Sequence, residues 1–124
     1  MIVAVPLFSS RVSPRFDCAP AVLLATVQDG RIIARETVSA AESNPLARIN
    51  WLSRRGVRAV ICGGLSRFSM RMLIDRGVQV FPWVAGDVED ALGLFLDGRL
   101  QAATMIGPGG RGRRCRRRGG RRSG

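Results

Sequence analysis

The sequence predicts a mixed α/β domain, and three observations carry that expectation. In the second half, short β-branched apolar runs alternate with segments of helical period. In the first half, an Asp-Gly turn between two extended runs marks a hairpin. The resulting order, β-β-β-α-β-α-β-α, gives right-handed parallel crossovers in the second half and a sheet made mixed by the hairpin, with helices on both faces.

Each element has a local cause. Ile2 to Val5 is a short apolar run ending at Pro6, which reads as a buried strand. Phe8 to Pro20 contains prolines and serines without a period and reads as a loop. Ala21 to Val27 is the second strand, Gln28-Asp29-Gly30 turns the chain, and Arg31 to Val38 returns as a partly exposed edge. Asn44 caps a helix with Pro45 at its first position; Leu46, Ile49 and Leu52 form its apolar stripe, and Gly56 ends it. Arg58 to Cys62 is a buried strand. After Gly63-Gly64, Ser66 caps a second helix running to Arg76, and Gly77 ends that one. Val78 to Phe81 is the fifth strand. Asp87 caps a third helix, in which Val88, Ala91, Leu92, Phe95 and Leu96 keep the clearest helical spacing. Gly98 closes it, and residues 99–106 add a short extended segment. Trp51, Trp83, Met70, Met72 and Met105 read as packing residues.

Composition bounds the rest. The 124 residues fit one domain, with 46% hydrophobic residues enough for a core. All 20 basic residues are arginine, and eight of them follow Ile106 in a stretch without acids. The net charge of +11 therefore divides into +8 for a Gly/Arg-rich tail, residues 107–124, and +3 for the body, residues 1–106. Glycine and mutually repelling arginines cannot pack, so the tail is expected to be disordered. Cys18, Cys62 and Cys115 are odd in number and show no CxxC spacing, which suits reduced thiols in the cytoplasm and no zinc knuckle. The N-terminus lacks the basic flank of a signal peptide, and no apolar run is long enough to span a membrane.

An enzyme is not expected. The chain has no histidine and no tyrosine, no phosphate-binding glycine motif, and no acidic cluster for paired metal ions. Two loops remain as a candidate site. In an open sheet, ligands bind at the carboxyl ends of parallel strands. The Phe8–Pro20 loop and the Gly63–Ser66 turn both belong there and should face each other across one crevice. Gly63-Gly64 serves either as a plain strand-to-helix turn or as a close backbone approach to an anion at the helix N-terminus. Arg11, Arg15 and Arg67 add positive charge. Cys18 is the better candidate ligand; Cys62, at a strand end, reads as a small core hydrophobe.

Four segments in series now resemble a known family: "MIVAVP", "RVSPRFDCAP", "GVRAVICGGLSRFSMRMLIDRGVQV" and "GDVEDALGLFLDGRL". They are similar to the nitrogenase iron–molybdenum cofactor biosynthesis (dinitrogenase accessory-factor-like) proteins over about residues 1–106. The resemblance implies a ribonuclease-H-like three-layer α/β/α fold, with a five-stranded sheet in order 3-2-1-4-5 and strand two antiparallel. It also implies a carrier of an anionic metal–sulfur cluster, either iron–molybdenum cofactor-like or the molybdenum–copper sulfide of the orange-protein branch. Donor and acceptor proteins for the cluster would be the partners. Two departures stand out. Arg15 replaces the histidine common in a "VSPHF" loop, and the tail carries arginine where relatives often have histidine and cysteine. Arginine stays protonated and cannot ligate a metal. The expected site is therefore Arg15, Phe16, Cys18, Gly63, Gly64 and Ser66, with Cys18 as the candidate metal ligand. The competing reading is a nucleic-acid or acidic-partner binding protein acting through the tail, and a third is an interaction domain without cofactor.

Overall fold

The computed structural model describes residues 1–39 and 44–104. Its elements are β1 (Ile2–Phe8), β2 (Arg11–Val12), β3 (Ala21–Gln28), β4 (Arg31–Ser39), α1 (Pro45–Arg54), β5 (Val57–Ile61), α2 (Arg67–Asp75), β6 (Gln79–Phe81) and α3 (Val88–Leu96). The sheet runs β4-β3-β1-β5-β6, with β2 paired to the end of β1. β1 lies antiparallel to β3 and parallel to β5, and β5 lies parallel to β6. The sheet is thus mixed, with the hairpin on one side of β1 and the parallel crossovers on the other.

Strand alternation sorts the core into two layers. Val3, Val5 and Leu7 face α3, where they meet Val88, Ala91 and Leu92. Ala4 faces the opposite way, into a cluster with Ile49 and Leu52 of α1 and Leu73 of α2. One helix covers one face and two helices cover the other.

The helix caps are those the sequence indicates. The Asn44 side chain accepts from the N–H groups of Leu46 and Ala47, that of Ser66 from Ser69, and that of Asp87 from Glu89 and Asp90. Asp29 and Gly30 both take positive φ, the requirement of the tight hairpin turn.

Three expectations need correction. The Phe8–Pro20 segment is not all loop: β1 continues through Pro6 to Phe8, and Arg11–Val12 folds back on it. Pairing of β1 with β5 stops at Ala4, so the proline's missing N–H falls where the strand changes partners. Residues 101–104 form a turn rather than an extended segment, because Leu100 turns into the core instead. Trp83 is not a packing residue; it is 61% exposed. The expectation for the tail, 107–124, lies outside the described residues, as do those for Met105 and Cys115. No described helix is long and apolar enough to cross a membrane.

Candidate functional site

The two expected loops do meet, and they meet more tightly than a crevice would allow. The Gly64 N–H donates to the Pro14 carbonyl at 2.7 Å, and the Phe16 N–H donates to the Gly64 carbonyl at 2.8 Å. Arg15 and Gly64 thereby form a parallel bridge that prolongs the sheet by one step. Gly63 permits this approach. A Cβ at that position would stand 2.4 Å from the Ser13 carbonyl oxygen and 2.6 Å from that of Pro14. The functional use expected of Gly63 and Gly64 is corrected accordingly. Gly63 is buried, and the Gly64 N–H is already satisfied, so neither faces an open gap between the loops.

Phe16 is the second correction. Its side chain is fully buried, packed in the layer under α1 and α2, and cannot touch a ligand. Its role is structural: the Arg48 guanidinium lies 5.9 Å from its ring centroid. Arg48, itself buried, donates from Nη2 to the carbonyls of Asp17 and Ala19. Those carbonyls flank Cys18, which is left exposed as a free thiol on a braced turn.

The remaining expected residues lie on the surface around this joint. The Arg15 guanidinium is exposed, and its backbone is fixed through the Ser13 hydroxyl, which accepts from the Arg15 N–H at 3.3 Å. Ser66 is exposed at the start of α2. Its hydroxyl donates to Ser69, and the Ser69 hydroxyl donates to Asp17 at 3.4 Å. Among the described residues, no carboxylate pairs with Arg11, Arg15, Arg67 or Arg71. Asp17 is the one acid in this hydroxyl chain. Cys62 is fully buried, and its thiol is pushed up to about 12, chiefly by burial and further by the negative charge of Asp17. It remains a neutral thiol at physiological pH and serves as a core hydrophobe. No cluster of three or more histidine, cysteine or acidic side chains exists among the described residues.

Sequence reasoning missed the groove beside this joint. A cavity of about 740 Å³ runs along the outer face of α2 to Trp83, lined in part by Leu65, Ser66, Phe68, Met70 and Ile74. Trp83 has a φ of 62°, an unusual conformation for a bulky residue. Its N–H donates to the Gly63 carbonyl, and its ring sits where a Cβ on Gly64 would come within 2.9 Å. The only available signals were Gly64, which leaves room for the ring, and Phe68 and Ile74, which break the polar face of α2.

Fold and site together define a small α/β domain with an exposed thiol, and with arginines unpaired among the described residues, around the carboxyl ends of its central parallel strands. The model of the family described as "Dinitrogenase iron-molybdenum cofactor" matches residues 1–98, and the chain belongs to that family. An uncharacterized protein of Methanocaldococcus jannaschii, MJ0580, is 21% identical over 106 residues, covering 82% of this chain and 90% of its own. The crystal structure of PH0822 superposes with a TM-score of 0.75 at 21% identity, covering 82% of this chain and 96% of that one. The apo form of the orange protein from Desulfovibrio gigas superposes with a TM-score of 0.68 at 20% identity, covering 82% and 92%.

Proposed function

We propose that this protein is a non-enzymatic carrier for an anionic metal–sulfur cluster, of the iron–molybdenum or molybdenum–copper sulfide type. In this reading it acts in the cytoplasm and exchanges cargo with proteins of cofactor biosynthesis. The ribonuclease-H-like label for its fold belongs to the same reading. Family membership and the likeness to the orange protein support it. The observation that carries it is the rim of Arg15 and Arg67, unpaired among the described residues, around a joint that also presents Ser66.

Capture would be electrostatic and hydrogen-bonded rather than by a coordination cage. The guanidinium groups of Arg15 and Arg67 attract bridging and terminal sulfides, which are weak acceptors carrying net negative charge. The Ser66 hydroxyl offers a further donor. Cys18, braced on both sides by Arg48, offers one soft sulfur donor suited to copper or iron. Phe16 and Arg48 position these groups without touching the cargo.

Reconstitution tests this directly. Protein incubated anaerobically with tetrathiomolybdate and copper, or with iron and sulfide, is expected to keep a charge-transfer band after desalting. Arg15→Ala is expected to reduce retention several-fold, and Cys18→Ser to shift the band or weaken retention. Metal that washes out completely from the parent protein would refute the carrier reading.

A further inference from the structure

We propose that the groove between α2 and Trp83 binds single-stranded nucleic acid. This does not rest on the carrier reading, although Ser66 and Arg67 border both sites.

The first support is composition of the groove. Phe68 and Trp83 line it and are 51% and 61% exposed, so two aromatic faces are open to solvent in one depression. Arg67 and Arg71 line it too, one helical turn apart, with no acid paired to either among the described residues. Asp75 is the one acid of the lining. Aromatic platforms beside backbone-tracking cations are what unpaired bases and their phosphates require, since every base has a face to stack and every linkage a charge.

The second support is where the described chain ends. The Ala103 N–H donates to the Pro82 carbonyl, and the Ala85 N–H donates to the Thr104 carbonyl. The C-terminus therefore departs from the loop that carries Trp83, held on both sides of that residue. The twenty residues that follow Thr104 contain eight arginines and no acid. The tail itself has no aromatic residue for stacking. The fold supplies one beside Thr104, the point from which those residues continue.

A polyanion suits this surface better than an acidic helix or a lipid bilayer. The apolar groups line a depression rather than a protruding ridge, and the charge is concentrated in guanidinium groups that fork onto phosphate oxygens.

The test uses the full chain with fluorescein-labelled (rU)12 and (dT)12, read by anisotropy at several salt concentrations. Saturable binding that weakens steeply with salt is expected for at least one of the two, and the comparison decides between RNA and DNA. Trp83→Ala is expected to weaken binding about five-fold or more, the effect of one lost stacking contact, while Trp83→Phe keeps most of it. Arg67→Ala combined with Arg71→Ala changes only exposed side chains. It is expected to lower the slope of log Kd against log salt by about 1.4, from two lost phosphate contacts. The proposal is overturned if the tryptophan and arginine variants both bind like the parent, since the tail then acts alone. It is equally overturned if a 12-base-pair duplex binds as tightly as the single strands. Uptake onto phosphatidylcholine/phosphatidylglycerol vesicles with the same Trp83 dependence would also overturn it, in favour of a lipid surface.

Discussion

At Gly63 a single hydrogen atom in place of a methyl group decides whether two loops can touch. The clash that a Cβ would make is with the backbone carbonyls of Ser13 and Pro14, which cannot rotate away. Gly63→Ala is expected to open the Arg15–Gly64 bridge and to destabilise the domain by about 1–3 kcal/mol, measured by urea denaturation. Gly93 supplies the contrast. It lies exposed within α3, and a methyl group added there would meet nothing within 4 Å. Gly93→Ala is therefore expected to stabilise by about 0.5–1 kcal/mol in the same assay. Cys62 allows a pH prediction. The chain has no lysine and no tyrosine, whose titration would otherwise mask that of a buried thiol above pH 9. The Cys62 pKa is raised from 9.0 to about 12 in the fold. The unfolded thiol ionises first, so stability is complete below 9.0 and falls as pH rises toward 12, where the folded thiol ionises as well. Cys62→Ala is expected to flatten the decline of the urea midpoint between about pH 9 and 11. A slope equal to that of the parent would place the titration elsewhere.

At the scale of elements, α2 is the most weakly anchored of the described helices. Of its nine residues only Ser69 and Leu73 are buried. Leu73 is its one fully buried apolar side chain and packs beside Val60, Val78 and Leu52. Leu73→Ala is expected to cost about 2–5 kcal/mol by thermal or chemical denaturation. The same outward display of α2 is what leaves Phe68 and Ile74 exposed. By contrast, α3 buries Val88, Ala91 and Leu92 and is tied to the edge strand by the two-pronged pair of Arg35 with Glu89, at 2.6 and 2.9 Å. That pair is exposed on both sides, so its contribution is small, within about 1 kcal/mol. It fixes the lie of β4 over α3 more than it stabilises the domain.

Across the whole molecule, charge is distributed unevenly. The segment 87–98 carries Asp87, Glu89, Asp90 and Asp97 with no arginine, and it lies on one face of the sheet. Residues 67–76, on the other face, carry Arg67, Arg71 and Arg76 against Asp75. Arg76 is engaged with Asn50 of α1, which leaves Arg67 and Arg71 to solvent. The α3 side is therefore the richer in acids, although Glu89 is paired with Arg35, and the α2 side presents Arg67 and Arg71; the described chain ends at Thr104, hydrogen-bonded beside the loop after β6. Removing residues 107–124 is expected to leave the thermal midpoint unchanged by calorimetry, while eluting far earlier from a cation-exchange column. A drop of several degrees would show that the tail contributes to the folded domain.

The element order, the caps at Asn44, Ser66 and Asp87, and the hairpin at Asp29-Gly30 were legible in the sequence, because each depends on residues within a few positions of one another. The neighbouring of β1 and β5 was expected from the strand order that the family resemblance implies, and the sheet has it. The six expected site residues were legible as a neighbourhood but not as a surface. Phe16 turned inward, Gly63 was consumed in backbone packing, and Arg15, Cys18 and Ser66 stayed outside. Which side of a tight loop faces water depends on what packs beneath it, here Arg48 from a helix about thirty residues away in the chain. The Trp83 groove was decided in the same way, since its walls come from α2 and from a loop that adjoins it only after β6 is paired. Periodicity and capping are written in adjacent residues; exposure is settled only when distant segments compete for the same space.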